Sequence, residues 1–254
     1  MAHRFISGGG NAFITDIRKL KQKKHRDRTG LFYVEGKKLL NEALNSGFRI
    51  RYIICTGPGA PHSGAEVITV TDEVYKKITD EEAPEGVMCV VEKPAGDTAL
   101  PYNRPVIILD SVRDPGNVGT IIRTADALCG VDIILSGGCA DIYSGKTQRA
   151  AMGAVFRQNI KISKNLAEDI ANLKKKGYNI LAAHLDKNSR PINDIKFDAK
   201  TAAVFGNEGG GLSGETAGAC DGRMIIPINP HSESLNVAVA AGIVLWEIKR
   251  QGVL

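Results

Sequence analysis

The chain has 254 residues, 43% of them hydrophobic, which is enough for one large or two modest domains with a true core. It contains no run of about 18 apolar residues, and its N-terminal sequence MAHRFISGGG lacks the apolar core of a signal peptide. A cytoplasmic protein without membrane contact is therefore predicted. The five cysteines are widely spaced, with no Cys-x-x-Cys pair and no histidine at metal-ligand spacing, which predicts reduced thiols and no metal site.

The net charge is +5, and the positive charge is concentrated near the N-terminus. Residues 1–60 hold 12 Lys or Arg and 4 Asp or Glu, a net charge of +8, whereas residues 61–100 hold 3 and 9, a net charge of −6. Much of the excess lies in the predicted basic helix IRKLKQKKHRDR, where a polyanion such as RNA would gain affinity by releasing counterions. The predicted RNA-contacting residues are Lys21, Lys23, Lys24 and Arg26. Taken alone, the run is equally compatible with a solvated helix face.

The pattern that follows predicts a small α/β unit. The segments LFYVEG, IRYIICTG and GVMCVVEKP are typical of strands. A helix stopped by Gly47 follows the first of them, and Thr71 can cap a short helix in TDEVYKKITD. The segment from Pro94 to Pro105 is rich in Pro and Gly and lacks apolar periodicity, so a linker between two domains is predicted there.

Beyond the linker the pattern predicts an α/β domain with a parallel sheet. VIILD, VDIILSG, NILAAHL, TAAVFGN and RMIIPI are short β-rich apolar runs, and helical patterns such as NLAEDIANLKKKG lie between some of them. Runs that are apolar on both faces indicate a sheet covered on both sides. Ligands of such sheets bind beyond the carboxyl ends of the strands, where three polar, glycine-bearing loops are predicted here.

The first loop lies in LDSVRDPGNVGTIIRTAD, a strand that breaks into a helix. Gly116 and Gly119 allow a close approach of backbone to a ligand, Asn117 offers a donor and an acceptor, and Arg123 presents a planar cation suited to phosphate. A simple Asx-type turn followed by an exposed helical arginine is the alternative.

The second loop is VFGNEGGGLSGE, whose spacing fits neither the dinucleotide fingerprint nor the P-loop. A carboxylate here would repel phosphate, so Glu208 suits a ligand that carries a hydroxyl or a cationic group. The alternative is a structural role, in which Glu208 braces the loop by accepting hydrogen bonds from backbone N–H groups. In the third loop, Ser232, Glu233 and Ser234 precede the small-residue helix LNVAVAAGIVLWEI, with Asn236 in its first turn. A serine-capped helix with an incidental asparagine remains an alternative for this loop.

DPGNVGTIIRTAD, FGNEGGGLSGE and IPINPHSESLNVAVAAG, in this order, closely resemble the three signature motifs of the SpoU family of RNA ribose 2′-O-methyltransferases, within the SPOUT superfamily. The resemblance covers residues 104–254, while residues 1–96 are similar, more loosely, to the small ribosomal-protein-like RNA-binding domain that many members carry in front. It implies two domains with these boundaries and a deep C-terminal trefoil knot, a rare exception to the no-knot rule. It also implies S-adenosylmethionine (SAM) bound in the knot, and a homodimer with the active site near the subunit interface.

The resemblance also implies roles for particular residues. Family members hold SAM, largely through backbone groups, at the positions of Gly206, Ile226 and Leu235. The family's functional polar positions match Asn117, Arg123, Glu208, Ser234 and Asn236. Pro230 stands where many relatives have glycine, and Ala151 where relatives often have serine.

The expected activity is SAM-dependent methylation of a ribose hydroxyl in RNA, with neither metal nor DNA involved. The N-terminal domain resembles the layout of enzymes that modify large-subunit (23S) rRNA, which favours rRNA as substrate. A tRNA ribose methyltransferase and a non-catalytic RNA-binding assembly factor are the alternatives. A nicotinamide-dependent oxidoreductase is excluded, because the glycine spacing it requires is absent.

Overall fold

The computed structural model describes residues 3–57, 64–96, 99–128, 130–184 and 189–253. Its packing divides the chain into two compact units. The small unit consists of Met1–Ala95 and Tyr143–Phe156, and the large unit of Gly96–Ile142 and Arg157–Leu254. In the part of the chain that is described, no helix is both long and apolar enough to cross a bilayer.

Strands and helices alternate along most of the chain. The strands are β1 His3–Ile6, β2 Leu31–Glu35, β3 Ile50–Cys55, β4 Glu66–Val70, β5 Val87–Glu92, β6 Val106–Leu109, β7 Asp132–Leu135, β8 Ile160–Ile162, β9 Asn179–Ala183, β10 Arg190–Pro191, β11 Thr201–Phe205 and β12 Gly222–Ile225. The α-helices are α1 Ala12–Lys19, α2 Lys23–Thr29, α3 Lys37–Asn45, α4 Asp72–Tyr75, α5 Pro115–Leu128, α6 Gly145–Ala151, α7 Leu166–Lys175, α8 Gly214–Ala219 and α9 Val237–Arg250.

The small unit is built on a mixed sheet with the strand order β1-β4-β3-β5-β2. The three predicted strands of this region are confirmed as β2, β3 and β5, and the Thr71 hydroxyl caps α4 by accepting from the backbone N–H of Val74 at 3.3 Å. Strands β1 and β4, which pair in parallel, were not predicted. The helix α3 ends at Asn45, two residues before the predicted stop at Gly47.

The single basic helix predicted from Ile17 to Arg28 is wrong, because the chain turns after Lys19 and restarts as α2. The guanidinium of Arg26 explains this break. It donates to the carbonyls of Leu20 at 2.7 Å and Lys21 at 2.9 Å, so these acceptors are satisfied without a continuous helix. Arg26 is only 3% exposed. Its side chain is therefore buried, whereas the sequence predicted an exposed cation that contacts RNA.

An aromatic cluster ties the segment Tyr143–Phe156 to the rest of the small unit. Phe32 is fully buried and lies 4.7 Å from the ring centroid of Tyr143 and 6.1 Å from that of Phe156. Phe48 meets Phe156 edge-on at 5.1 Å. The small unit thus takes part of its core from far along the chain, while the division into domains 1–96 and 104–254 stays a prediction.

The large unit contains a sheet of seven strands in the order β10-β12-β9-β11-β6-β7-β8, and all of its described pairings are parallel. Every residue of β6, β7 and β11 is buried, which requires cover on both faces of the sheet. The predicted covered parallel sheet is therefore confirmed, and its five predicted strands are β6, β7, β9, β11 and β12. The trefoil knot stays a prediction.

The four described cysteines, Cys55, Cys89, Cys139 and Cys220, are all free thiols. Cys129 lies outside the described residues. Burial raises the pKa of the Cys89 thiol to about 12, so this side chain is unreactive at neutral pH.

Candidate active site

The three predicted loops meet beyond the carboxyl ends of β6, β11 and β12, and hydrogen bonds join one residue from each. The Nδ2 of Asn236 donates to the Oδ1 of Asn117 at 3.0 Å, and the Nδ2 of Asn117 donates to the Oε1 of Glu208 at 2.8 Å. Residues separated by up to 119 positions in the chain are thereby brought into one polar cluster. We call Asn236, Asn117 and Glu208 the amide–carboxylate chain.

The start of α9 determines the direction of this chain of hydrogen bonds. Asn236 is the N-cap residue of α9, and its Oδ1 accepts from the backbone N–H groups of Ala238 at 2.9 Å and Val239 at 3.3 Å. Its Nδ2 is left to donate to Asn117, whose own Nδ2 is then left for Glu208. Glu208 is therefore the terminal acceptor, with lone pairs available for one more donor.

The start of α5 explains why Asn117 lies at this break. Asp114 caps the helix, since its Oδ1 accepts from the backbone N–H of Asn117 at 2.8 Å. Pro115 follows as the first helical residue, where its missing N–H is not needed. The side chain of Asn117 is left to bond the other two loops.

The glycine-rich loop is braced by Asn207, which the sequence pattern did not single out. Its Oδ1 accepts from the backbone N–H groups of Gly209 and Gly210 at 3.0 and 3.1 Å, and its Nδ2 donates to the carbonyl of Ser111 at 2.9 Å. The bracing role considered for Glu208 thus belongs to Asn207. An asparagine two residues before glycines is a typical Asx-turn signal and could have identified it.

The same loop folds back tightly on itself at Gly206. A Cβ atom at this position would lie 2.3 Å from the carbonyl carbon of Gly211 and 2.5 Å from the backbone N of Leu212. Because both of these are backbone atoms, no side chain can be accommodated at residue 206 unless the loop shifts.

Asp110, at the end of β6, holds the far side of the glycine loop and was also missed. Its Oδ2 accepts from the backbone N–H of Ser213 at 3.2 Å. Burial alone raises the pKa of this carboxyl, but hydrogen bonds from Thr216, Ser213 and Ser111 outweigh it and hold the pKa below its usual value. Asp110 is therefore a charged anchor for the loop. A lone acid that ends the apolar run VIILD was the available signal.

A cleft opens beyond the ends of β9 and β12, with about 540 Å³ of empty space including the part open to solvent. Among the predicted site residues, Ile226, Ser234 and Leu235 line the cleft, together with apolar Met224 and acidic Glu233. Gly206 is not among its lining residues.

Pro230 lies in a turn of the loop that borders this cleft. The backbone N–H of Ser232 donates to the carbonyl of Asn229 at 2.9 Å, which places Pro230 at the second position of the turn. Proline is favoured at this position because its φ angle is already suitable. The substitution of proline for glycine is thus compatible with an ordered loop.

Arg123 lies apart from the amide–carboxylate chain. Asn117 and Arg123 are six residues apart on α5, a spacing that puts them on different faces of the helix. The side chain of Arg123 is exposed, and within the described ranges it has neither an ion-pair partner nor a hydrogen bond. A guanidinium in this state is available to a ligand or to a second protein chain.

The predicted basic residues lie in the small unit, in different environments. Lys21 forms an ion pair with Asp80 at 2.7 Å, and Lys23 forms one with Asp27 at 2.6 Å. Both pairs are at least partly solvated, and such pairs contribute little to stability. Lys24 is exposed, and no ion pair of its side chain occurs among the described residues.

Two family profiles match different parts of the chain. The profile of the SpoU rRNA Methylase family matches residues 104–246, and that of the MRM3-like substrate binding domain matches residues 11–89. The chain is 33% identical to RlmP of Bacillus subtilis, a 23S rRNA (guanosine(2553)-2′-O)-methyltransferase, over 249 residues that cover 96% of this chain and 98% of the relative.

Two solved structures share the fold over nearly the whole chain. The AdoMet-bound rRNA methyltransferase from Sinorhizobium meliloti is 34% identical, with a TM-score of 0.88 and 99% of both chains covered. The SpoU methyltransferase AviRb from Streptomyces viridochromogenes, in complex with AdoMet, is 27% identical, with a TM-score of 0.86 and 96% of this chain and 98% of that chain covered. Since the family profile spans more than half of the sequence and contains all three loops of the site, the chain belongs to the SpoU rRNA Methylase family.

Proposed function

We propose that the protein transfers a methyl group from SAM to the 2′-hydroxyl of a ribose in RNA, with 23S rRNA as the substrate. The observation that carries this proposal is the amide–carboxylate chain, which joins the three family motifs and ends on a carboxylate acceptor. It is supported by the relative RlmP, which is named as a 23S rRNA 2′-O-methyltransferase, and by the two AdoMet-bound neighbours.

The residues of the cleft fit SAM. Met224, Ile226 and Leu235 offer apolar surface to a flat adenine ring, and Glu233 and Ser234 offer polar groups at the same opening. Gly206, which has no room for a side chain, lets the glycine-rich loop close on its own backbone, and the family resemblance associates this position with SAM. Bound there, SAM supplies an electrophilic methyl group on a sulfonium.

The chain's own residues would then position the ribose hydroxyl and handle its proton. Asn117, Ser234 and Asn236 orient the hydroxyl, a contribution that reaches about 7–11 kcal/mol in well-oriented reactions. Glu208, as the terminal acceptor, fixes this array or receives the proton. A guanidinium is a donor without an acceptor, so we assign Arg123 to the target phosphate and to the negative charge that develops on the oxygen.

We expect the purified full-length chain to transfer one labelled methyl group from SAM to a ribose of unmodified 23S rRNA. The sulfonium already activates the methyl group, so EDTA is expected to leave the rate unchanged. Liquid chromatography and mass spectrometry of nucleosides, with total tRNA as the control substrate, checks both points.

Each alternative has a distinct outcome in that assay. Methylation of tRNA alone would favour the tRNA enzyme, and RNA binding without SAM binding would favour a non-catalytic assembly factor. An EDTA-sensitive rate that metal restores would overturn the metal-free mechanism.

The small unit is proposed to bind the RNA phosphates through Lys21, Lys23 and Lys24. Changing all three to glutamine is expected to weaken RNA binding. The slope of log K against log salt concentration is expected to become less negative by about 0.7 for each phosphate of a single-stranded RNA that is no longer neutralised. Filter-binding titrations at several salt concentrations measure the slope, and exposed Lys175→Gln in the large unit is the control. An unchanged slope in the triple variant would identify these lysines as a solvated surface.

A homodimer is proposed on the basis of the exposed apolar face of α9. Val239 and Trp246 lie seven residues apart on one side of this helix and are 52% and 56% exposed. Arg123, on the neighbouring helix α5, is also free to meet a second chain. A cytoplasmic location stays a prediction.

Trp246→Glu is expected to convert the dimer into a monomer, because it places a charge in the apolar face. Sedimentation velocity checks the mass. The control is Ile162→Glu, a matched change at an apolar residue that is 47% exposed on β8. A Trp246→Glu protein that sediments like the wild type would contradict this interface.

A further inference from the structure

The small unit carries a row of two arginines and two aromatic rings that lies outside the predicted basic run. The guanidinium carbon of Arg4 lies 5.3 Å from the ring centroid of Phe13, and that of Arg51 lies 5.9 Å from the ring centroid of Tyr52. The two rings meet edge to face at 5.1 Å. We call these four residues the arginine–aromatic row.

Three separate elements bring the row together. Arg4 lies on β1 and Phe13 on α1, whose N-cap Asn11 accepts from the backbone N–H of Phe13 at 2.9 Å. Tyr52 and Arg51 lie on β3, where the register with β5 shifts at Arg51. Such a bulge redirects a side chain, and here the Arg51 guanidinium lies over the ring of its own neighbour in the strand.

The two rings and the two arginines differ in exposure. Phe13 and Tyr52 are half-buried and pack against the core of the unit, so the positions of the rings are held by tertiary contacts. Arg4 is exposed, and the side chain of Arg51 is 48% exposed. Each guanidinium can thus have one face towards a ring and the other towards solvent.

The charges around the row leave both arginines available. Arg51 approaches Glu92 at 3.7 Å, beyond hydrogen-bonding distance, and for Arg4 no carboxylate lies within ion-pair range in the described part of the chain. Glu66, the partner of Tyr52 in β4, lies nearby and is half-buried. A solvated contact such as that to Glu92 is weak and can be exchanged for a phosphate.

Planar cations beside aromatic rings are the groups that recognise an unpaired nucleotide. Bases that are not stacked in a duplex stack on aromatic side chains and guanidinium planes, while the guanidinium forks bind phosphate oxygens. From this geometry we infer that the arginine–aromatic row binds an unpaired nucleotide of the RNA substrate. The inference rests on the proposed function, because RNA as the ligand comes from there.

The test compares a single-stranded RNA oligonucleotide with a duplex of the same sequence, using the full-length chain. The variants are Arg51→Gln, the double change Arg4→Gln/Arg51→Gln, which removes both cations, and Tyr52→Leu, which keeps an apolar contact with the core. We expect each to weaken single-strand binding about tenfold, within the range for removing the stacking of one base. Duplex binding is expected to change less than about twofold, since paired bases cannot reach the row.

Arg49→Gln is the matched control. Arg49 lies 3.6 Å from the same Glu92 and its side chain is 70% exposed, but no ring contact of Arg49 occurs among the described residues. If Arg49→Gln and Arg51→Gln lose the same affinity for single-stranded RNA, the effect is explained by net charge alone and the inference is overturned. Equal losses on single-stranded and duplex RNA, or full affinity in the double variant, would also overturn it.

Two further measurements separate this inference from the proposed function and from misfolding. The SAM affinity of each variant is expected to match that of the wild type, because the row lies outside the cleft. Thermal unfolding is expected to show that each variant is folded at the temperature of the binding assay. If the wild-type chain methylates rRNA and the variants bind single strands normally, only the inference fails. If the wild-type chain binds no RNA, the proposed function itself fails.

Discussion

Replacing Arg123 by alanine is expected to lower the single-turnover rate of methyl transfer by about 100- to 1,000-fold, the usual cost of losing one preorganised donor to developing charge. Binding of RNA and of SAM is expected to change much less. Arg123 has no protein partner in the described ranges, so its guanidinium is available to the substrate. Its interaction with the ribose oxygen is strongest in the transition state, when negative charge develops there, and its loss therefore lowers the rate more than the affinity.

Arg123→Lys separates charge from geometry in the same experiment. Lysine keeps the positive charge but loses the planar fork that holds two oxygens, so we expect it to restore little of the rate. Rates are measured at saturating SAM and RNA, together with the affinity for each ligand. A near-wild-type rate in Arg123→Ala would exclude a catalytic role, and a loss confined to affinity would assign Arg123 to RNA docking.

Gly206→Ala is expected to weaken SAM binding about 5- to 150-fold, which corresponds to the cost of about 1–3 kcal/mol for overpacking of this kind. The new methyl group would lie 2.3 Å from the carbonyl carbon of Gly211, and only a shift of the backbone can relieve that contact. Such a shift would open the loop that Asn207 and Asp110 hold closed. Isothermal titration calorimetry measures the SAM affinity.

Gly210→Ala is the control within the same loop. A Cβ atom at residue 210 would lie 3.9 Å from the Oδ1 of Asn207, an ordinary contact distance, so the loop has room for it. Circular dichroism establishes that both variants remain folded. Wild-type SAM affinity in Gly206→Ala would show that the tight fold of this loop has no part in cofactor binding.

Elements of the fold that depend on a few consecutive residues could be predicted from the sequence. Short apolar runs predicted the central strands of the parallel sheet, because a strand covered on both faces must be apolar at nearly every position. Thr71 was identified as a cap for the same kind of reason, since a cap depends on only three or four consecutive residues. The polar residues of the three loops could also be found from the sequence, because a plain turn after a strand needs only a glycine and these loops carry additional polar side chains.

The hydrogen bonds that connect these residues are known only from the folded chain. No local pattern predicts that Asn236 donates to Asn117 and Asn117 to Glu208. This order arises because the Oδ1 of Asn236 accepts from the backbone of α9, which leaves its Nδ2 to donate to Asn117. Asn207 and Asp110 were missed for a related reason. Each had a local signal, but the backbone groups of Ser111 and Ser213 that they also bond lie about 100 residues away in the chain, and no local pattern predicts those bonds.

The small unit shows the same limit most clearly. The run of basic residues has the pattern of one helix, yet Arg26 is buried and donates to the carbonyls of Leu20 and Lys21. These carbonyls lie where the helix ends, and the guanidinium replaces the hydrogen bonds that a continuing helix would have given them. Likewise, Tyr143 and Phe156 pack against Phe32 in the aromatic core of the small unit, although they lie more than 100 residues away in the chain. Contacts between large rings depend on distance in space, which no local sequence pattern gives.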